Sequence, residues 1–319
     1  MNKILHVNSL IIVLTLIMCA CQSKDESLKL PAGEGFLNVT GGKIWYKVVG
    51  ADKAGIPLLV VHGGPGAPHD YLSNLEILAN ERPVIFYDQL GCGNSDRPSD
   101  ISLWTVARFT DELEQLRIAL NLNEIHLLGQ SWGGYLTTNY IIRYGSVQIK
   151  SLTLSAPLLN SVRWANDQRI WISQLPQNVQ DTINKYEASG DFSSASYQEA
   201  VMIFYQKHVC RLNPWPEALN LTFQKMGLEV YNHMWGPSEF TLTGCLQSAD
   251  LTPVLSTIGI PCLLTCGEFD EARPETMQSF KELIPNARLK IFEGASHSHH
   301  LENQEEYLQT LRSFLIDSE

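Results

Sequence analysis

Short apolar runs alternate with amphipathic stretches from about residue 35 onward. Pro57–Val61 and Val84–Tyr87 are apolar throughout, which is typical of strands buried on both faces of a parallel sheet. Further runs are Ile125–Leu128, Ile149–Leu154, Pro261–Thr265 and Ala287–Phe292, and Lys43–Val49 indicates an antiparallel strand. Helical patterns separate the runs, over about 103–120, 132–144, 274–284 and 303–316. This alternation predicts the α/β class, with a mostly parallel central sheet and helices on both faces.

One long region interrupts this alternation. From Pro157 to Asp250 the chain has no convincing buried strand, and its helical, aromatic-rich segments are separated by proline and glycine clusters. We interpret 157–250 as a helical cap inserted between two parts of the core, 35–156 and 251–319. A cap over the carboxyl edge of the sheet would cover the place where α/β folds bind ligands. The alternative is an irregular second lobe that does not contact this edge.

The N-terminus has the pattern of an export signal. Lys3 precedes the apolar run Leu10–Met18, which is far shorter than the roughly 20 residues of a membrane-spanning helix. A small residue precedes Cys21, so residues 1–20 resemble a bacterial lipoprotein signal and Cys21 would carry the lipid. Residues 21–34 would be a polar tether. An ordinary secretory signal is the alternative, and both predict export.

The resemblance to lipoproteins also suggests a location. Gln22 stands where inner-membrane lipoproteins have a retaining aspartate, which favours an outer-membrane anchor facing the periplasm. Stable anchoring needs more than one acyl chain, as a lipidated and N-acylated cysteine would provide.

Composition excludes two broad classes. The chain has 319 residues, of which 44% are hydrophobic and 18% charged, so it is not a disordered protein. Its formal net charge is −11, so the chain lacks the excess of basic residues that is typical of a nucleic-acid binder. The cysteines beyond Cys21 have no metal-ligand spacing, so no metal site is predicted. One disulfide could form after export, but the spacing does not pair its cysteines.

A serine lies in the pattern of a sharp turn between a strand and a helix. Gly129-Gln130-Ser131-Trp132-Gly133 follows the run Ile125–Leu128 and opens the helical pattern 132–144. This is G-x-S-x-G in the setting where the motif raises a serine hydroxyl above the sheet. Helix N–H groups would point at the same place. We therefore predict Ser131 as a nucleophile, the alternative being a serine in an ordinary tight turn.

A serine hydroxyl is a weak nucleophile at neutral pH and needs a base. In the order serine, acid, histidine that accompanies this motif, the base follows the final strand. His297 is the first histidine after that strand, and His299 and His300 are rivals. Asp270 follows the preceding strand and would orient the imidazole, with Glu268 as the competing acid.

The same chemistry needs two backbone N–H groups that stabilise an oxyanion. One belongs to the residue after the nucleophile, Trp132, and the other to the loop His62–Gly66 after an early strand. Glycines let this backbone face a ligand without an intervening Cβ. Pro65 has no N–H, so Gly64 is the predicted donor. The alternative is a loop that merely turns the chain.

Together these motifs resemble the α/β-hydrolase fold and, more narrowly, the proline iminopeptidase family of serine aminopeptidases. The resemblance covers about residues 35–317, and Asn94 departs from an arginine common in the family. It rests on HGGPG at 62–66 with His69-Asp70-Tyr71, DQLGCGNS at 88–95, GQSWGG at 129–134, GPSEF at 236–240, GEFDEARP at 267–274 and Gly294-Ala295-Ser296-His297. It implies the triad Ser131, Asp270 and His297, the set already reached from the residues, and no cofactor.

The resemblance also implies a substrate class. Family members remove an unblocked N-terminal residue, commonly proline, from short peptides, and two glutamates bind the free amine. The matching positions are Glu239 in GPSEF and Glu271 after Asp270. A buried protonated amine needs such partners, and each charge-assisted hydrogen bond contributes roughly 1.5–3 kcal/mol. Aromatic residues that could form the pocket for the first residue are Trp132, Trp164, Trp171, Phe204, Tyr205 and Trp235.

Three functions compete at this stage. The leading hypothesis is a serine aminopeptidase acting on short peptides or aminoacyl amides through an acyl-enzyme. The second keeps the triad in an amino-acid amidase, an esterase or a lactonase, since the fold alone does not select the substrate. The third is a lipoprotein that binds peptides on an inactive hydrolase scaffold. The presence of all three triad candidates argues against this hypothesis.

Overall fold

The computed structural model describes residues 30–319; the predicted signal peptide, residues 1–20, and Cys21 lie outside the described residues. The described chain forms one eight-stranded sheet with strand order β1-β2-β4-β3-β5-β6-β7-β8. Its strands are β1 Gly33–Val39, β2 Gly42–Val49, β3 Leu58–Val61, β4 Val84–Tyr87, β5 Ile125–Gln130, β6 Ile149–Ser155, β7 Cys262–Gly267 and β8 Ala287–Phe292.

Most of this sheet is parallel. The pairs β1·β2 and β2·β4 are antiparallel, and every later pair is parallel. Strands β3, β4, β5 and β7 are buried at every residue, as continuous apolar runs predict. The predicted α/β class with a mostly parallel sheet is confirmed.

Helices cover both faces of the sheet. Leu59 and Val61 of β3 join a core with α1 and α2 on one face, whereas Leu58 and Val60 join a second core on the other. The flanking helices are α1 Val106–Ala119, α2 Trp132–Tyr144, α8 Pro274–Leu283, the short α9 His299–Glu302 and α10 Gln304–Asp317. A 3₁₀ segment, His69–Asn80, packs on the second face. Two separate cores form because successive side chains of a strand point to opposite faces of the sheet.

Five helices are inserted between β6 and β7. They are α3 Ser161–Ile172, α4 Gln177–Ser189, α5 Ala195–His208, α6 Glu217–Gln224 and α7 Leu228–Met234. An isolated bridge between Asn160 and Asp250 joins the two ends of this insertion. The insertion also contacts the sheet edge, because Trp171 Nε1 donates to Asp270 O at 2.8 Å.

The N-terminal boundary differs from the sequence prediction. Gly33 and Glu34, assigned to the tether, belong to the edge strand β1, whose Phe36 is 60% exposed. No residue of this edge strand is fully buried, so it has no continuous apolar run to reveal it.

No helix formed by residues 30–319 is both long enough and apolar enough to span a bilayer.

Candidate active site

Ser131 occupies the turn between β5 and α2. Its φ of 55° and ψ of −122° place a non-glycine residue in a strained backbone region. Ser131 N–H donates to Ser155 O at 3.0 Å, and Ser131 O accepts from Gly134 N–H at 2.8 Å and Leu158 N–H at 3.0 Å. These bonds from neighbouring segments hold the serine at the carboxyl edge of the sheet.

Close packing explains the small residues of the motif. A Cβ on Gly129 would lie 2.2 Å from Gly133 O, and one on Gly133 would lie 2.2 Å from Val61 O. Real Cβ atoms do not approach so closely, so both positions require glycine for the turn to form.

His297 and Asp270 form a buried pair. His297 Nδ1 lies 2.8 Å from Asp270 Oδ1, and the carboxylate is fully buried. Asp270 also accepts from Ala272 N–H at 2.9 Å and Gly267 N–H at 3.1 Å. These donors hold the carboxylate in place as a hydrogen-bond acceptor, so His297 Nδ1 carries the proton that it donates and Nε2 keeps its lone pair.

The competing residues lie elsewhere. His299 Nδ1 is 3.6 Å from Asp270 Oδ2, but its ring is fully buried, and burial lowers its pKa to about 4. His300 Nε2 lies 3.1 Å from Tyr71 O. Exposed Glu268 accepts from Gly294 N–H at 2.9 Å. None of these three side chains lines the cavity that contains Ser131.

A cavity of about 580 Å³ lies between the sheet edge and the inserted helices. Ser131, His297 and Gly64 line it together with Glu239 and Glu271. Gly64 N–H donates to no other described residue. A Cβ on the preceding Gly63 would lie 2.8 Å from Ser131 Cβ, so this loop packs directly against the serine.

Trp132 is the first residue of α2, where a backbone N–H has no partner within the helix. The two predicted oxyanion donors therefore belong to the two segments that meet at Ser131. Among the described residues, no group of three or more His, Cys, Asp or Glu side chains is arranged to hold a metal ion.

One further polar side chain contacts the imidazole and a second acts through it, and sequence reasoning missed both roles. Gln130 Nε2 lies 3.0 Å from His297 Nε2 and donates to it. Gln130 Oε1 accepts from Tyr71 OH at 2.5 Å, and that hydroxyl accepts from Gly63 N–H at 2.8 Å. A buried polar residue at the end of an otherwise apolar strand was the available signal for Gln130. The chain of hydrogen bonds links the glycine loop to the histidine.

The two glutamates share the cavity with the catalytic candidates. Glu239 Oε1 accepts from Trp164 Nε1 at 3.2 Å and Gln168 Nε2 at 3.1 Å, and its Oε2 accepts from Tyr231 OH. Glu271 is only 3% exposed, and its Oε1 has no hydrogen-bond partner. Burial, then the charges of Glu239 and Asp270, raise the pKa of Glu271 well above its usual range. This end of the cavity therefore favours a positively charged ligand.

The six aromatic candidates divide into two groups. Trp164, Tyr205 and Trp235 line the cavity, and the Trp164 ring lies 5.5 Å edge-on from the His297 ring. The remaining three do not line it: Trp132 donates from Nε1 to Gln89 Oε1, Trp171 stacks on His208, and Phe204 packs on Phe240. Their rings are turned into the cores, so they do not form the pocket wall.

Comparison with known proteins agrees with this geometry. The family model of the alpha/beta hydrolase fold matches residues 56–304. A proline iminopeptidase of Heyndrickxia coagulans is 44% identical over 286 residues, 88% of this chain and 98% of the relative. A solved proline iminopeptidase from Mycobacterium smegmatis has a TM-score of 0.83 at 34% identity, covering 90% of this chain and 98% of its own. The crystal structure of VinJ gives 0.87 at 33% identity, covering 91% and 100%. This chain therefore belongs to the proline iminopeptidase family within the alpha/beta hydrolase fold.

Proposed function

We propose that this protein is a serine aminopeptidase that releases an unblocked N-terminal residue, preferentially proline, from short peptides. The observation that carries the proposal is one cavity lined by Ser131, His297 and the two carboxylates of Glu239 and Glu271, with Asp270 behind the imidazole at 2.8 Å. The family's relatives at 36–44% identity are named for the same activity.

In this mechanism Ser131 Oγ attacks the first peptide carbonyl. His297 Nε2 accepts the serine proton when the hydroxyl replaces Gln130 as its partner, and Asp270 stabilises the imidazolium. The new C–O bond places negative charge on the carbonyl oxygen, where the N–H groups of Gly64 and Trp132 stabilise it. His297 then gives the proton to the leaving amine as the C–N bond breaks. Water then attacks the acyl-enzyme and gives a proton to His297. His297 returns that proton to Ser131 Oγ as the ester bond breaks.

Charge makes the enzyme an exopeptidase. A protonated N-terminal amine would pair with Glu239 and with the unpartnered oxygen of Glu271. An N-acylated substrate lacks that charge, so it gives Glu239 no cation and covers the unpartnered oxygen of buried Glu271 without satisfying it, which is unfavourable. The inserted helices close over this end, so a long chain preceding the scissile bond has no room.

The test compares proline p-nitroanilide with its N-acetyl form. We expect hydrolysis of the free amine to exceed that of the blocked substrate by about 100-fold or more in kcat/KM. Ser131→Ala should lower kcat by about 10³-fold or more, while the variant still binds prolinamide. Glu239→Gln and Glu271→Gln should each lower kcat/KM for the free amine by roughly 10–100-fold.

The outcomes separate the alternatives. Equal rates on free and blocked substrates would remove the roles of both glutamates. Hydrolysis of short acyl esters but of no unblocked aminoacyl amide would favour an esterase or lactonase. Turnover of prolinamide without turnover of any peptide would indicate an amino-acid amidase. Unchanged hydrolysis by Ser131→Ala would contradict the proposed mechanism altogether.

We also propose that the protein is exported and anchored to a membrane by a lipid on Cys21, in the outer membrane facing the periplasm. The support is the signal pattern of residues 1–20 and Gln22 after the lipidation site. In cells fed labelled palmitate, the protein should be labelled and sediment with outer membranes, whereas Cys21→Ser should be unlabelled. Labelling of neither form would contradict the anchor.

A further inference from the structure

The far end of the catalytic cavity differs in character from the end that holds the glutamates. Six apolar residues form what we call the apolar wall: Met202, Val209, Trp215, Leu219, Phe223 and Met226. The Trp215 and Phe223 rings stack with centroids 5.5 Å apart, and Trp215 Nε1 donates to Cys210 O at 3.0 Å. The wall is therefore a built aromatic surface and not a loose contact of side chains.

The apolar wall lies on the side where the leaving amine departs. His297 N–H donates to His208 O at 3.0 Å, and Ser298 N–H donates to Val209 O at 2.9 Å. On its other flank, Tyr71 N–H donates to Thr222 Oγ1 at 3.0 Å, which seats α6 beside the Tyr71–Gln130 hydrogen bonds. The Val209 end of the wall is thus fixed beside the backbone of His297, whose imidazole returns the proton to the leaving group.

The glutamate end is bounded by other elements. Glu239 is held by Trp164 and Gln168 of α3 and by Tyr231 of α7. Tyr205 borders both ends, since its ring lies 6.1 Å from that of Phe223 and burial beside Glu239 and Glu271 raises its pKa. A substrate whose amine lies at the glutamates and whose first carbonyl lies at Ser131 therefore extends toward the apolar wall beyond the scissile bond.

Among its described residues, the apolar end of the cavity has no lysine or arginine that could pair with a substrate carboxylate. Of the described residues that line the cavity, none is a lysine or an arginine. Two basic side chains of neighbouring segments are engaged elsewhere: Lys225 Nζ lies 2.9 Å from Asp70 Oδ1, and the Arg211 guanidinium lies 4.2 Å from the Phe269 ring centroid. The protein's net charge of −11 also repels anions. A carboxylate placed against the wall would lose hydration without gaining a partner.

We propose that the enzyme selects the leaving group as well as the first residue. This inference rests on the proposed function. The substrates it favours carry a bulky apolar or aromatic residue in second position, with no free carboxylate on that residue. Met202 and Phe223 are 45% and 39% exposed, so the apolar wall continues from buried Leu219 to the protein surface. A leaving group longer than one residue can follow it outward.

Three substrates test the preference: Pro-Phe-amide, Pro-Asp-amide and Pro-Phe with a free carboxylate. We expect kcat/KM for Pro-Phe-amide to exceed each of the others by about tenfold or more. Comparable kcat/KM values for all three, with prolinamide still hydrolysed, would overturn the leaving-group preference alone. If the protein does not hydrolyse prolinamide either, the proposed function is overturned and this inference with it.

Two neighbouring positions on α5 provide a matched pair of variants. Met202 lines the cavity, whereas Ile203 does not, and the two are similarly exposed at 45% and 40%. Met202→Arg supplies the missing cation, so it should raise kcat/KM for Pro-Phe with a free carboxylate relative to Pro-Phe-amide severalfold. Ile203→Arg adds the same charge outside the cavity and should leave that ratio unchanged. Equal shifts in both variants would mean that overall charge, and not the wall, sets the ratio.

Discussion

Glu271 is a carboxyl group in an environment that opposes its charge. It is buried, its Oε1 lacks a partner, and Glu239 and Asp270 add negative charge nearby. In the free protein the carboxyl therefore keeps its proton to higher pH than an exposed glutamate does. A protonated substrate amine reverses this preference, so substrate binding and ionisation of Glu271 are coupled.

This coupling predicts how Glu271→Gln changes stability with pH. An unfolded glutamate loses its proton at about pH 4.3, whereas folded Glu271 retains it to higher pH. Above pH 4.3 the folded state binds more protons, so Glu271 lowers the free energy of unfolding as pH rises, by up to about 1.4 kcal/mol per pH unit. Glu271→Gln removes this loss, so the variant should become progressively more stable than the parent between pH 5 and 8 in urea unfolding.

Prolinamide provides the control for this prediction. Its protonated amine pairs with the carboxylate, so saturating prolinamide should raise the melting temperature of the parent more than that of Glu271→Gln. N-acetylprolinamide should show no such difference. A variant that is less stable than the parent at every pH would contradict an uncompensated buried carboxyl.

At the scale of elements, the sequence predicted the strands and loops whose positions follow from the apolar pattern and from the order of elements along the chain. The parallel strands were visible because burial on both faces leaves continuous runs such as Val84–Tyr87. Positions 131, 270 and 297 could be selected because the carboxyl ends of parallel strands meet at one sheet edge. The structure places all three there, with 2.8 Å between the imidazole and carboxylate of the pair.

Other features could not be predicted because tertiary contacts determine them. The edge strand β1 and the 3₁₀ segment His69–Asn80 have no clear period in the sequence. The hydrogen bond from Gln130 to His297 joins residues 167 positions apart, so only the fold brings them together. The same holds for aromatic side chains: nothing in the sequence distinguishes Trp164, which lines the cavity, from Trp171, which packs on His208.

At the scale of the whole molecule, buried neutral histidines join the sheet to its loops. His62 Nδ1 donates to Gly63 O at 3.0 Å, and its Nε2 accepts from Gln89 N–H at 2.9 Å. These fixed partners suit only the neutral ring, and burial lowers the pKa of His62 to about 4. Burial likewise lowers the pKa of His299 to about 4 and that of His300 to about 3.

These histidines predict that the protein loses stability in mild acid. In the unfolded chain each titrates at about pH 6.5, so below that pH the unfolded state binds protons that the folded state does not. Each histidine then removes up to about 1.4 kcal/mol per pH unit, and three of them outweigh the opposite contribution of Glu271. Each histidine removes about 1 kcal/mol between pH 6.5 and 5.5 and Glu271 offsets up to about 1.4 kcal/mol, so the free energy of unfolding should fall by about 1–2 kcal/mol over this range, measured in urea at constant ionic strength. Unfolding should be accompanied by uptake of protons from the buffer at pH 5.5, which calorimetry in two buffers measures. Stability that is unchanged or higher at pH 5.5 would mean that these rings are already protonated in the folded protein, in conflict with the Gln89 N–H that donates to His62 Nε2.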